Sequence, residues 1–263
     1  MPRHRRSALH DEQARRNHWT PPRDAGYRGL MAAHDDSRAG DLGHLEGLVL
    51  DGMDLVVAQL DRALESLVYQ DVELAGMVVT DDQRIDDRFL EVHQGTIALL
   101  GRGVPDPESL RLCAALLHVV RCVERMGDQC ANIAKLVPLS GHEPPKDKET
   151  LDVVQRMGLR ARAQVLQTRD AVRMRNLDLA RDLVRQDAEV NRLNRVVFQR
   201  ALDIGDELEM REWGMFMILV ARCLERIGDN TVDIAEQIEF VITGIFRAMD
   251  ESEIASSGPD ALS

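Results

Sequence analysis

Between residues 41 and 248 apolar side chains recur in alternating steps of three and four, the spacing that lines one face of an α-helix. Two stretches are clearest. One runs Val119, Val123, Met126, Cys130, Ile133, Val137, and the other Val220, Leu224, Ile227, Thr231, Ile234, Ile238. Seams of this kind suit bundle packing. With its breakers, the pattern predicts six helices in two sets of three: 41–70, 72–100 and 108–137, then 149–175, 177–204 and 208–248. The breakers are GRGVPDP, from Gly101 to Pro107, and PLSGHEPPKDKE, from Pro138 to Glu149. The expected fold class is all-α, with two similar three-helix bundles in tandem and flexible tails. The expected organisation is an extension over 1–40, repeats over 41–137 and 149–248, a linker over 138–148 and a tail over 249–263.

The two seams carry one duplicated motif. Arg121 to Ala134 reads RCVERMGDQCANIA, Arg222 to Ala235 reads RCLERIGDNTVDIA, and eight of the fourteen positions are identical. Val72-Glu73-Leu74-Ala75 also aligns with Leu177-Asp178-Leu179-Ala180, at an offset of 105 against 101 for the motif. The four-residue difference falls where GRGVPDP lies, in a loop that tolerates deletion. Gly127 and Gly228 lie near the seam. Glycine costs about 1 kcal/mol in a helix interior relative to alanine, so its presence in both copies calls for a close helix approach.

Each motif copy sets two acids four residues apart, Glu124/Asp128 and Glu225/Asp229. That spacing stacks both carboxylates on one helix face. The middle helices carry Asp82 and Asp86, with Asp81 and Asp87 beside them, aligned with Asp187 and Asn191. If middle and third helices pack antiparallel, three or four carboxylates meet on neighbouring helices, a donor set suited to Mg²⁺, Mn²⁺ or iron. The alternative is a solvated acidic face paired with Arg125 and Arg226. His93, two turns beyond Asp86, is a weaker ligand candidate, and His118 lies on a different face from Glu124.

Charge and cysteine usage narrow the classes. A formal net charge of −12 argues against a nucleic-acid binder, which needs a basic face. The four cysteines form no CxxC pair and have no matching His cluster to suggest zinc; they read as reduced, mostly buried thiols. No run of eighteen apolar residues and no signal peptide occurs, so the expected location is cytoplasmic, with membrane association only through partners. Residues 1–40 hold eight Arg against five acids, and Pro21–Pro22, and read as a mobile arm.

ERMGDQCANIAK and ERIGDNTVDIAE closely resemble the ERIGDxxxNIAE signature of the PhoU family of phosphate-signalling proteins. The resemblance covers about 44–245 and includes Ser109-Leu110-Arg111 opening the third helix of the first repeat. It implies two three-helix bundles related by pseudo-twofold symmetry and surface metal clusters (Mg, Mn, Fe or Zn) held by E(D)xxxD pairs. Carried over, the metal ligands are Asp82, Asp86, Glu124 and Asp128 in one repeat and Asp187, Glu225 and Asp229 in the other. Asn191 replaces an anionic ligand, and Glu212 stands where Arg111 aligns. The resemblance also implies a regulatory role: coupling a phosphate ABC transporter, at its cytoplasmic side, to a sensor histidine kinase, and repressing phosphate-starvation genes when phosphate is plentiful. A homodimer is the expected assembly. The competing readings are a helical metal-dependent enzyme, an oxidase or phosphohydrolase, and a metal-free structural bundle. Against an enzyme, the helices contain no Glu-x-x-His pair, and no P-loop or nucleophile elbow is visible.

Overall fold

The computed structural model describes residues 25–103, 106–140 and 146–249, with side chains from residue 40 onward. The chain divides into a unit of residues 1–40 and a unit of residues 41–263. Among the described residues every regular element is helical. The elements are α1 (Ala25–Tyr69), α2 (Val72–Asp81), α3 (Gln83–Gly101), α4 (Pro107–Leu136), a 3-10 turn (Pro138–Ser140), α5 (Lys148–Met174), α6 (Leu177–Leu202) and α7 (Leu208–Thr243). This is the all-α, two-times-three arrangement expected, with α2 and α3 together making one middle helix.

Three boundaries differ from expectation. Helix α1 begins at Ala25 rather than 41, with no proline between Pro22 and Tyr69 to break it; of the mobile arm expected over 1–40, residues 25–40 are therefore helical, while 1–24 and residues 250–263 of the tail expected over 249–263 lie outside the described residues. The middle helix is interrupted at Asp82, where φ −55° and ψ −33° remain helical. There the Ile85 N–H donates to the Asp82 carbonyl at 2.9 Å, an i→i+3 bond that tightens the turn. Helix α7 ends at Thr243 rather than 248, because Gly244 takes φ +75°, a left-handed stop that favours glycine.

Caps fix the other helix starts. The Leu74 N–H donates to Asp71, the Thr150 N–H to Asp147, and the Asp178 and Leu179 N–H groups to Asn176. At α4, Ser109 donates its N–H and its hydroxyl to Asp106, and Pro107 opens the helix where no N–H is needed. Ser109 of the SLR triplet is thus a cap partner, and Arg111 packs against Gly244 at the end of α7.

One continuous core joins both repeats. It runs through Met53, Leu60, Val78 and Ile85, then Met126 and Ile133, and in the second repeat Met157, Leu183, Leu224, Ile227 and Ile234. Both predicted seams are buried throughout; Thr231, the polar member of the second, donates its hydroxyl to the Gly228 carbonyl. Helices α1 and α5 meet through an antiparallel ladder of ion pairs: Asp61 with Arg162 at 2.7 Å, Asp54 with Arg169 at 2.7 Å, and Glu46 with Arg175 at 3.2 Å. Exposed pairs contribute at most about 1 kcal/mol each; their value is register, since α1 supplies every acid, and α5 with its C-cap Arg175 every arginine.

Glu239 of α7 is 2 % exposed and accepts from Arg181 of α6 at 2.8 Å and from Arg247 at 2.9 Å. Burial pushes its carboxyl up, but the two guanidiniums outweigh this and hold it below the usual range. Glu239→Ala should therefore lower stability by about 2 kcal/mol, read as a reduced urea midpoint. Because the folded pKa is depressed, this contribution is present above the unfolded value and fades as pH falls through the folded one. The gap between wild type and variant should close in acid.

Candidate metal centre

The middle and third helices of the first repeat bring the four predicted acids onto one face. Asp82 stands at the tightened turn between α2 and α3, Asp86 one turn further on, and Glu124 and Asp128 face them from α4. Asp82, Asp86 and Glu124 each lie within reach of the Asp128 charge. Asp82 is pushed above the usual carboxylate range by burial and by the charges of Asp128 and Asp86, against a hydrogen bond from Gln59. Asp86 is raised by burial, Asp128 and Asp87. Glu124 is raised by burial, opposed by Arg121, and raised further by Asp128 and Asp86. The face is half-buried, negative and under mutual repulsion.

The side chains around it hold the carboxylates in place. Gln59 donates to Asp82 Oδ1 at 3.1 Å and to the Val78 carbonyl at 3.2 Å. Arg121 donates to Glu124 Oε1 at 2.9 Å while its guanidinium lies 5.5 Å from the Phe89 ring centre. The other Glu124 oxygen, Oε2, is buried without a hydrogen-bond partner among the described residues. A buried acceptor of this kind is costly unless something satisfies it, and all its carboxylate neighbours can only accept as well. That donor set fits a hard cation. No three of the predicted acids bring an oxygen each within 4.8 Å of one another. They share a face without converging on one point, an arrangement that suits bridging carboxylates over more than one ion better than a single tight cage.

The second repeat rebuilds the same frame with less charge. Gly127 leaves room for Ile85 and Asp82, and Gly228 for Asp187, Gln164 and Val190. Under the offsets of 105 and 101, Ile85 aligns with Val190, Asp82 with Asp187 and Gln59 with Gln164, so the constellation itself is duplicated. Arg222 pairs with Glu225 as Arg121 does with Glu124. Asn191, where Asp86 aligns, donates to Asp187 Oδ2 at 2.7 Å. It occupies one of the oxygens a cation would use. The Arg62–Asp81 pair becomes Gln167 and Gln186, amide to amide at 2.8 Å. Asp229 is raised by burial, opposed by Arg222, and raised by Asp233.

Sequence reasoning missed Gln59 and Gln164, although their separation of 105 residues was a visible signal. It also missed Arg121 and Arg222 as clamps on Glu124 and Glu225. His93 is exposed and lies 5.6 Å, centroid to centroid, from Phe89. All four cysteines are free, three buried and Cys223 half-buried. His118, Cys122 and Asp233 bring one ligand atom each within 4.8 Å of one another, a meeting of two helices that no linear motif shows.

No described helix is long and apolar enough to cross a membrane. The chain is 29% identical over 207 residues to the "Phosphate-specific transport system accessory protein PhoU homolog" of Clostridium acetobutylicum, covering 78% of this chain and 93% of that one. It is 30% identical over 210 residues to the Zymomonas mobilis protein of the same description, covering 78% and 86%. Its fold superposes on the crystal structure of the phosphate transport system regulatory protein PhoU from Streptococcus pneumoniae with a TM-score of 0.74 at 22% identity, over 80% of this chain and 99% of that one. Against PhoU from Pseudomonas aeruginosa the TM-score is 0.72 at 24% identity, over 79% and 99%. The PhoU domain matches twice, over residues 49–137 and 154–238, one copy on each three-helix repeat. The chain belongs to the PhoU family.

Proposed function

We propose that this protein is a metal-binding regulatory adaptor of phosphate uptake. It couples a phosphate ABC transporter to a sensor histidine kinase at the cytoplasmic face and represses the phosphate-starvation response when phosphate is sufficient. The observation that carries the metal part of this reading is the buried, unsatisfied Glu124 Oε2 amid carboxylates that repel one another. The regulatory part rests on family membership and on relatives described as accessory proteins of phosphate transport.

Asp82, Asp86, Glu124 and Asp128 would hold divalent or trivalent ions (Mg, Mn, Fe or Zn) in the first repeat, and Asp187, Glu225 and Asp229 in the second. A bound ion supplies an open coordination position for a partner's carboxylate or phosphate oxygen. The chain's own groups do the positioning: Gln59 orients Asp82, Arg121 orients Glu124, and Gly127 lets α4 approach the middle helix closely enough for their acids to share one face. The role is non-enzymatic, with docking as the output. A net charge of −12 favours partners with basic surfaces, speeding and orienting encounter. The working assembly is a homodimer.

Pull-down from solubilised membranes tests the partner assignment. Transporter and kinase subunits should be recovered with the wild-type protein in phosphate-rich cells. Recovery should fall several-fold when Glu124 and Asp128 are both changed to Ala, and no further with changes at Asp35 and Asp36 in the N-terminal arm. Recovery of neither partner under high or low phosphate would remove the adaptor reading.

A further inference from the structure

The two repeats also meet through α4 and α7. Cys122 faces Asp233, His118 is close enough to Glu236 for their charges to interact, and Cys130 senses Cys223. These pairings climb α4 while descending α7, so the helices run antiparallel. His118 and Cys122 are one turn apart on one face of α4. Asp233 and Glu236 are three residues apart on one face of α7. Cys122 is about 200° around α4 from Glu124 at 100° per residue, so this cluster is distinct from the carboxylate face of the first repeat.

We propose that His118, Cys122 and Asp233 form a mononuclear transition-metal site of the zinc class at one end of the inter-repeat seam. A nitrogen, a sulfur and an oxygen donor make a borderline-soft set that zinc and cobalt take up and that magnesium does not. Bonds of about 2.0–2.3 Å place donors on one tetrahedral ion roughly 3.5 Å apart. The three atoms already lie within 4.8 Å, and the exposed His118 ring can close the remainder by rotation. On binding, the ion replaces the Cys122 thiol proton, which passes to water, and the fourth position stays open to solvent or a partner ligand. Glu236, one turn beyond on α7, adds a negative charge near His118.

The repeat relation shows that this end of the seam differs from the other. Shifted by 101, His118 aligns with Leu219 and Cys122 with Cys223, while Asp233 aligns with Asn132 and Glu236 with Lys135. Duplication supplied the cysteine twice. Only one end has the histidine and the two acids that complete a ligand set, and the other end has an aliphatic, an amide and a cation. A cluster produced by copying alone would be present at both.

The test is cobalt titration of the untagged full-length protein after chelator dialysis. Wild type should develop the near-ultraviolet thiolate-to-cobalt charge-transfer band, at one thiolate per chain, and zinc should bleach it. Carboxylate oxygens give no such band, so cobalt on the acidic faces is silent here. Cys122→Ala should abolish the band, and the surface change His118→Asn should weaken cobalt binding at least about tenfold. Cys223→Ala should leave it intact. Absence of the band in folded wild type, its survival in Cys122→Ala, unchanged affinity in His118→Asn, or its loss in Cys223→Ala alone would each overturn the proposal.

Discussion

Gly228→Ala is expected to lower stability by about 2 kcal/mol, a fall in melting temperature of roughly 4–8 °C for a chain of this size. Propensity alone predicts the opposite sign, since alanine is favoured over glycine in a helix by about 1 kcal/mol. Packing decides. A Cβ at 228 would lie 2.5 Å from Asp187 Oδ1, 3.2 Å from Gln164 Oε1 and 3.7 Å from a Val190 methyl. Asp187 is buried and bonded on its other oxygen to Asn191 at 2.7 Å, so it cannot back away cheaply. At Gly127 the nearest atom is Ile85 Cδ1, at 2.8 Å, the far end of a side chain that can swing, and the cost should be nearer 1 kcal/mol. Gly76, in α2, has nothing within 4 Å; Gly76→Ala should stabilise by up to about 1 kcal/mol. Urea denaturation of the three variants gives the ranking directly. Equal stability of wild type and Gly228→Ala contradicts the close-approach account of the motif glycine.

Replacing all seven proposed ligands by their amides should abolish metal retention on the acidic faces, with affinity falling by at least about two orders of magnitude. Changing only Asp82, Asp86, Glu124 and Asp128 should remove more metal than changing only Asp187, Glu225 and Asp229, because Asn191 has already neutralised one ligand and engaged another. Elemental analysis of protein purified without chelator reads this. The same variants should behave inversely once metal is stripped. Burial and mutual repulsion raise Asp82, Asp86 and Glu124 in the folded state. A raised carboxylate means the native state binds more protons than the unfolded one between the two pKa values, so stability falls as pH climbs through that window. Chelated wild type should therefore lose stability from the ordinary carboxylate range upward, and the amide variant should lose less of it. Identical pH profiles would show that the acids do not press on one another.

The helical framework and the repeat were legible because each rests on local, periodic signals. The seam from Val119 to Val137 and its copy from Val220 to Ile238 are apolar at every packing position but one, and Gly101–Pro107 and Pro138 punctuate them. The acids facing the seam could be placed because the spacing of four fixes a helix face. What stayed hidden depends on contacts between elements. Gln59 is a buried amide on a helix that shows only an apolar stripe, and its role appears when α1 packs against Asp82. Cys122 and Asp233 are 111 residues apart and meet only because α4 and α7 run antiparallel. Helix ends were less legible than helix existence. Gly244 stops α7 by a left-handed turn, while nothing after Pro22 stops α1 from starting at Ala25.

Expression from a phosphate-starvation promoter in phosphate-rich medium tests the central claim most directly. A strain lacking this gene should switch the promoter on. The wild-type gene should silence it again, and the seven-amide variant, produced at the same level, should not. A promoter that stays silent in the deletion strain contradicts the account and assigns this PhoU-family chain another role.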